Sequence, residues 1–336
     1  MPEPLFTLDL APEVDRICGI ITHQVRTVLK RDGVVVAVSG GIDSSVCAAL
    51  CTRALGPANV LALALPERHS SGASGTLAQE LCASLGIEML TISIEGVLQA
   101  AGCYSSQNEA MRQVFPAYGD GDPFKIILPS LLAGDRLNVP RVMWKKPGQP
   151  EETARIPRKP YLQLVAATNF KQRTRTMTAY FHADRLNRAV CGTPNRLEYD
   201  QGFFVKGGDG LSDIAPIAHL YKSQVYAMAG ILGLPEGICK RQPTTDTFPM
   251  EQSQEEFYFS APYPVMDACL YGVNNGLPAA QVATATGLTA EQVERLYKDI
   301  EAKRRATQNL HLRALTVESI APIEERLARA VAESRS

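Results

Sequence analysis

Short apolar runs rich in branched residues alternate along this chain with segments of helical periodicity. Four of these runs predict strands, at 34–38, 60–65, 87–92 and 189–192. Runs of this length that are apolar throughout are typical of parallel strands covered on both faces. The pattern therefore predicts an α/β fold in which a parallel sheet carries helices on both faces.

Apolar positions three and four residues apart predict helices between the strands and, beyond the last strand, helices alone. The predicted helices lie at 15–30, 44–55, 74–85, 161–185, 222–232, 265–270, 278–283 and 289–305. Pro160 stands just ahead of the longest, where proline is tolerated, and Thr289 is placed to cap the last. The C-terminal part is therefore predicted to be helical.

Residues 116–160 interrupt this alternation, because proline, glycine and charge crowd together there. A loop of that length is usually functional or disordered. The apolar segments ILPSLL and VMW favour a shaped element, so we expect an inserted lid or interface element, with a solvated surface excursion as the alternative. We expect a single domain over 1–310 that contains this insertion, followed by a C-terminal tail at 311–336.

The composition and charge of the chain argue against several classes of protein. The chain has 336 residues, of which 45% are hydrophobic and 21% charged, and a formal net charge of -1. So balanced a charge favours small-molecule partners over nucleic acid or an anionic membrane.

No apolar stretch approaches the roughly 18 residues of a membrane span, and the N-terminus lacks a signal pattern, so a cytoplasmic location is expected. Eight cysteines without a C-x-x-C pair favour reduced thiols over a disulfide framework or a zinc site.

The stretch VVVAVSGGIDSS, at 34–45, joins the first strand to the helix that follows it. After Ser39, Gly40 and Gly41 allow backbone N–H groups to turn toward an anion where the helix begins. The turn is therefore interpreted as a phosphate cradle. No lysine stands near it, so the pattern of a Walker-type loop is absent. The plainer alternative is a tight strand-to-helix turn with Ser44 as its N-cap.

Asp43 places a carboxylate in the middle of this cradle. A carboxylate beside phosphates is repulsive unless a divalent cation lies between them. Asp43 is therefore interpreted as a ligand of a Mg²⁺ ion that sits on the pyrophosphate of a nucleotide.

The segment S39-G-G-I-D-S44 resembles the signature of the ATP pyrophosphatases, which split ATP between its α and β phosphates. Further segments follow in one order: N-F-K-Q-R-T-R-T-M-T-A-Y from 169, G-T-P-N-R-L-E from 192, G-F-F-V-K-G-G-D-G-L-S-D-I-A-P-I from 202, L-Y-K from 220 and P-T-T-D from 243. This order resembles the NAD synthetase family, whose members convert the carboxylate of deamido-NAD to an amide. The resemblance implies a Rossmann-like ATP pyrophosphatase fold, ATP, Mg²⁺ and ammonia, and a homodimer.

The acids and the lysine in these segments agree with the chemistry that such an enzyme must perform. A carboxylate is unreactive toward ammonia, so ATP must first adenylate it, and cations must stabilise the phosphate charge. The resemblance implies that Asp43 and Glu198 bind the metal, although Glu198 could be a surface acid. It implies catalytic roles for Asp43, Asp209 and Lys222. It implies an ATP site of Ser39, Gly40, Gly41, Asp43, Ser44, Thr193, Lys222 and Thr244.

The substrate site rests on the same resemblance, which implies Asn169, Arg173, Tyr180, Phe203, Lys206, Asp209 and Asp213. Asp209 lies in the glycine-rich segment GGDGLSD, which suits a flexible loop over a reacting centre. A carboxylate there could hold ammonium and take up its proton as a general base. A polar turn is the alternative for this loop, and core packing is the alternative for Phe203.

The chain departs from the family pattern at three places. Gln172 stands where a small residue is usual, Gly207 stands where tyrosine is common, and the family's C-terminal His-Lys pair is represented at best by His311 and Arg313. These departures surround the substrate more than the cradle, so ATP chemistry is better specified than the carboxylate.

Three alternative functions would each leave a different pattern in the sequence. An amide ligase for a different carboxylate stays open. A non-catalytic nucleotide-binding module should lack the acids, yet Asp43, Glu198 and Asp209 are all present. An RNA-thiolating enzyme should show paired cysteines and a basic surface. The roughly 30 residues before the first strand are too few for a glutaminase domain, so direct use of ammonia is expected, and a separate glutaminase partner stays open.

Overall fold

A computed structural model describes residues 5, 8–127, 140–146, 148–241, 248–250, 252–253, 258–259 and 261–335. Its strands are β1 (Val34–Ala37), β2 (Val60–Ala64), β3 (Glu88–Thr91), β4 (Phe124–Ile127), β5 (Arg141–Lys145), β6 (Glu151–Arg155) and β7 (Ala189–Cys191). Its helices are α1 (Leu10–His23), α2 (Ile42–Leu55), α3 (Gly72–Leu85), α4 (Glu95–Ala100), α5 (Cys103–Val114), α6 (Arg158–Arg185), α7 (Arg196–Gln201), α8 (Lys222–Ile231), α9 (Glu236–Lys240), α10 (Tyr263–Asn274), α11 (Ala279–Thr286), α12 (Ala290–His311) and α13 (Ala321–Glu333).

The main sheet consists of the four predicted strands, all parallel, in the order β3-β2-β1-β7. Side chains of β1 alternate between two cores. Val34 and Val36 pack in the cluster that includes residues of α1 and α2, whereas Val35 packs in the cluster that includes residues of α6. Both faces of the sheet are therefore covered, which confirms the predicted fold class.

The predicted helices are present, with shifted ends. Helix α2 begins at Ile42, two residues earlier than predicted, so Asp43 lies in its first turn. Helix α1 ends at His23 and continues as a π-helical turn over Gln24–Val28. The Thr289 hydroxyl accepts a hydrogen bond from the backbone N–H of Gln292, which confirms the predicted cap of α12. Sequence patterns did not predict α4, α5, α9 or α13.

A second sheet, called here the insertion sheet, lies inside the region predicted to be irregular. Its three strands are antiparallel, in the order β4-β5-β6. Val142 and Trp144 of β5 are buried, whereas Arg141 and Lys145 are exposed. The short strands and their charged outer face concealed this alternation in the sequence. The buried side chains pack in one cluster with residues of α5 and α6, so the described part of the insertion belongs to the core.

The C-terminal helices α10, α11 and α12 form a further apolar cluster together with Leu197 of α7. Helix α13 differs, because none of its residues is buried. All eight cysteines carry free thiols. Among the described residues, no helix is both long enough and apolar enough to cross a membrane.

Candidate active site

A cavity of about 760 Å³ opens at the carboxyl ends of the parallel strands. Residues at the ends of all four strands line it, among them Ala37, Ala64, Thr91 and Cys191. Open parallel sheets bind their ligands at this edge, because the loops that follow the strands converge there. The cavity also reaches the insertion sheet, which contributes Ile126 to its wall.

The cradle, residues 39–44, forms one end of this cavity. Gly40 has a φ of +69°, and a Cβ atom there would lie 2.8 Å from Cβ of Leu77 and 2.9 Å from the carbonyl oxygen of Ser74. Only glycine fits this conformation and this approach. The Ser44 hydroxyl donates a hydrogen bond of 3.1 Å to the Gly41 carbonyl. The cradle is therefore ordered by its own contacts, and it faces the cavity beside the N-terminus of α2, where anions bind favourably.

Asp43 and Glu198, called here the acid pair, are joined by Asn195. The Asn195 side-chain amide donates to Oδ1 of Asp43 over 3.1 Å, and its backbone N–H donates to Oε2 of Glu198 over 3.2 Å. Asn195 is fully buried and caps α7, since its Oδ1 accepts from the Glu198 backbone N–H. Asn195 is not among the site residues expected from the sequence, although the N-x-x-E spacing of a capping box is present there.

Lys222 lies behind the acid pair, fully buried, and its ammonium pairs with Oδ2 of Asp43. Burial opposes its charge, but Asp43 and Glu198 together raise the pKa of Lys222 above its ordinary value. Burial and then the neighbouring Asp43 raise the pKa of Glu198 to about 8. One ammonium therefore balances the two acids incompletely, and this donor set fits a divalent cation.

The described residues contain no group of three or more histidine, cysteine, aspartate or glutamate side chains that could hold a metal ion. Two carboxylates are nevertheless a usual protein contribution to a Mg²⁺ ion that also binds substrate phosphates. Asp43 and Glu198 both line the cavity, where such phosphates would enter.

Asp209 lines the cavity in the glycine-rich loop. Its Oδ1 accepts a hydrogen bond of 2.7 Å from the Val205 backbone N–H. The residue is exposed to the cavity, yet the protein around its carboxyl raises the pKa of Asp209 by desolvation. A Cβ atom on Gly210 would lie 2.2 Å from Cδ2 of Phe204, so glycine is required for this turn.

The other predicted site residues fall into two groups. Ser39, Gly41, Ser44, Asn169, Thr193 and Phe203 line the cavity together with the acid pair and Asp209. The ring of Phe203 stacks on Tyr258 with centroids 4.5 Å apart, so it joins an aromatic cluster at the cavity wall. Thr244 lies outside the described residues.

Arg173, Tyr180, Lys206 and Asp213 lie outside the cavity lining. The Arg173 Nε donates to the Lys206 carbonyl over 3.2 Å. The Lys206 ammonium donates to the carbonyls of Asn309 and Leu312, at the end of α12. The Tyr180 hydroxyl donates to Oδ1 of Asp213 over 3.2 Å, and burial, followed by the charge of Asp213, raises the pKa of Tyr180.

The cavity wall also contains residues that sequence analysis did not assign. Arg175 and Gln172 of α6 reach it, and their side chains are hydrogen bonded to each other over 3.2 Å. Arg241, just after α9, reaches the cavity beside the cradle. His311 instead packs edge-on against Tyr199 and Phe204, with centroids 5.2 and 5.1 Å away. No sequence motif marked Arg241.

Solved structures of related proteins share this fold. One described as the structure of NMN synthetase from Francisella tularensis has a TM-score of 0.64 and 24% identity, and the match covers 93% of this chain and all of that one. An NH3-dependent NAD synthetase from Campylobacter jejuni, in complex with the nitrate ion, has a TM-score of 0.61 and 23% identity, over 93% of this chain and 100% of the other.

Comparison of sequences identifies the family as well as the fold. The proteins called NH(3)-dependent NAD(+) synthetase from Mesorhizobium japonicum and Rhizobium rhizogenes are 54% and 50% identical to this chain. Each match covers 93% of this chain, and they cover 98% and 94% of those proteins. The family model of NAD synthase matches residues 13–115 and 136–307, and its gap falls in the insertion. The chain belongs to the NAD synthase family.

Proposed function

We propose that this protein is a ligase that forms NAD from deamido-NAD, ATP and ammonia, with AMP and pyrophosphate as the other products. Relatives of 50% and 54% identity carry the name NH(3)-dependent NAD(+) synthetase. The observation that carries the proposal is one cavity lined by a phosphate cradle, an acid pair and a separate acid, Asp209. The same cavity thus offers groups for adenylation and for amide formation.

In the first step, a carboxylate oxygen of deamido-NAD attacks the α-phosphorus of ATP. The bond to the bridging oxygen breaks, and its electron pair leaves with pyrophosphate. Backbone N–H groups of the cradle and the N-terminus of α2 would hold the phosphates. Asp43 and Glu198 would bind a Mg²⁺ ion, which supplies positive charge against those phosphates. Lys222 would hold the Asp43 carboxylate in its orientation, since the two are paired in the protein interior.

In the second step, ammonia attacks the acyl carbon, and the bond from that carbon to the AMP oxygen breaks. The nitrogen must lose a proton, and Asp209 is the group we assign to accept it. Its raised pKa suits this role, because a more basic carboxylate takes a proton more readily. The Val205 N–H that donates to Oδ1 would fix the carboxylate in position.

The substrate would lie between the acid pair, which serves adenylation, and Asp209, which serves amide formation. Phe203 offers an aromatic face to a pyridine ring, and Asn169 and Thr193 offer polar contacts on the same wall. The part of the substrate that projects from the cavity is proposed to contact four residues outside the lining, namely Arg173, Tyr180, Lys206 and Asp213. Arg173, Lys206 and Asp213 are exposed, which agrees with a homodimer that shares this region. Free ammonia is proposed as the nitrogen source.

The test follows all products from purified protein with ATP, Mg²⁺ and ammonium. Deamido-NAD is compared with nicotinate mononucleotide, because a neighbour in fold is described as an NMN synthetase. We expect AMP, pyrophosphate and NAD in equal amounts from deamido-NAD, and glutamine should not replace ammonium. Preference for the mononucleotide would instead establish the second acid as the substrate.

Two variants separate the steps. Glu198→Gln should abolish pyrophosphate release, because the metal loses a ligand, whereas Asp209→Asn should retain exchange of labelled pyrophosphate into ATP while losing amide formation. Glu291→Gln is the control, since its carboxylate is 77% exposed on α12. Loss of both steps in Asp209→Asn with normal folding would remove its assignment as the base for ammonia.

A further inference from the structure

Arg241 carries a guanidinium to the cradle from the end of α9. Its Nη2 donates to the Ser74 hydroxyl over 2.8 Å and to the Ser71 hydroxyl over 3.4 Å. Its Nη1 lies 3.5 Å from the Ser39 carbonyl and 3.3 Å from the position of a Cβ atom on Gly40. The guanidinium therefore lies directly against the loop that is built to receive an anion.

Within the described part of the chain, these contacts give the charge of Arg241 no carboxylate partner. Every acceptor just named is a neutral oxygen atom of a serine, whereas the neighbouring cation Lys222 is paired with Asp43. A guanidinium presents five N–H donors in a planar fork that matches phosphate oxygens. A positive charge at a cavity wall, beside glycine N–H groups and a helix N-terminus, is complementary to a phosphate.

We propose that Arg241 binds the pyrophosphate half of ATP and stabilises it as it leaves. The inference deepens the proposed function and rests on it. During adenylation the bond between the α-phosphorus and the bridging oxygen breaks, so negative charge grows on the pyrophosphate. The α-phosphate must stay open to the attacking carboxylate, whereas the terminal phosphates can be enclosed by the cradle and Arg241. A cation at this place acts on the leaving group.

The test measures binding of pyrophosphate and of AMP separately, by calorimetry on the full-length protein with Mg²⁺ present. Arg241→Met should raise the Kd of pyrophosphate about tenfold to hundredfold, the range for a charge-assisted hydrogen bond, and leave the Kd of AMP within about twofold. Arg241→Lys should recover part of the affinity, because it restores the charge without the fork. Unchanged pyrophosphate binding, or equal losses for both ligands, would overturn the proposal.

A control separates charge from anchoring. Ser74→Ala removes the 2.8 Å contact that holds the guanidinium but keeps its charge. It should weaken pyrophosphate binding less than Arg241→Met does, with the same Tm in both variants. Equal effects would mean that Arg241 only fastens α9 to α3. Pyrophosphate binding needs no carboxylate substrate, so this result stands apart from any failure of deamido-NAD as the substrate.

Discussion

The role of Lys171 could be assigned only from the folded structure. In the sequence it belongs to a basic run that suits either phosphate contact or a solvated face. In the structure it is fully buried, and its ammonium donates to Oε1 of Glu67 over 3.1 Å. The Tyr104 hydroxyl donates to the other Glu67 oxygen over 2.8 Å. Burial opposes the charge of Glu67, but Lys171, with His69 and Tyr104, lowers the pKa of that carboxyl below its ordinary value. The contact between Lys171 and Glu67 joins α6 to the loop after β2.

Lys171→Met should lower the free energy of unfolding by about 3–5 kcal/mol, because it leaves the Glu67 carboxylate buried without its cation. Adding Glu67→Gln should recover much of that loss, since no charge is then left unpaired. Urea denaturation measures both, with Lys240→Met on the surface as the control. If Lys171→Met alone kept wild-type stability, the buried pair would have no structural role.

His69 gives the same cluster a pH dependence. Its Nδ1 lies 2.8 Å from the Lys171 ammonium, and burial followed by that charge lowers the pKa of His69 from 6.5 to about 4. The unfolded chain therefore binds an extra proton between these two values, and stability falls as pH falls through this window. The full effect is at most about 3 kcal/mol.

His69→Asn keeps an acceptor for Lys171 but cannot titrate. The variant should lack the part of the decline in unfolding free energy that the wild type shows from pH 6.5 to pH 5. This range lies above the ordinary pKa of Glu67, whose own contribution is lost only at lower pH. Parallel pH profiles for the two proteins would show that His69 is already protonated in the folded state.

The positions of site residues could be predicted where a motif fixes the backbone, as at the cradle and at Glu198, although the cap Asn195 was not singled out. They could not be predicted along α6, because tertiary packing decides which face meets the cavity. Asn169, Gln172 and Thr176 share the cavity face at helical spacing, whereas Arg173 lies one step around the helix. Arg241 escaped prediction for another reason, since contact between the end of α9 and the cradle exists only in the folded chain.

At the scale of elements, the apolar period located all four parallel strands but missed the insertion sheet. Short exposed strands have a weak period, and β6 is largely exposed along its length. Trp144 of β5 is nevertheless 3% exposed, and its Nε1 donates to Asp122 over 3.1 Å. The sheet is thus held by aromatic packing on Phe115 and Tyr118, which a solvated excursion would lack.

Trp144→Ala should cost about 3–5 kcal/mol of unfolding free energy, the range for deletion of a buried aromatic ring. Lys145→Ala, on the exposed side of the same strand, should stay within about 0.5 kcal/mol of the wild type. Thermal or urea unfolding decides between the two readings of the insertion, because a surface excursion would make both variants silent.

For the whole molecule, the outer face of α6 raises the question of assembly. Met177 and Phe181 are 62% and 64% exposed, four residues apart on one helix face. Arg173 and Tyr180, proposed to bind substrate outside the cavity, fall on the same side by helical spacing. An apolar surface on the same face as these two residues agrees with the homodimer that the family resemblance predicts. The net charge of -1 offers little repulsion between two copies.

Replacing Met177 and Phe181 together by glutamate should convert a dimer into a monomer, because two charges would be buried in the interface. The variant should also show a raised KM for deamido-NAD. The KM for ATP should change little, since the cradle is formed by the turn between β1 and α2, whereas both substitutions lie on α6. Sedimentation velocity gives the mass, and steady-state kinetics gives the two KM values. Val97→Glu, at a half-exposed apolar position on α4, is the matched control. A wild-type protein that is monomeric and fully active at assay concentration would contradict the homodimer and would assign Met177 and Phe181 to the free surface.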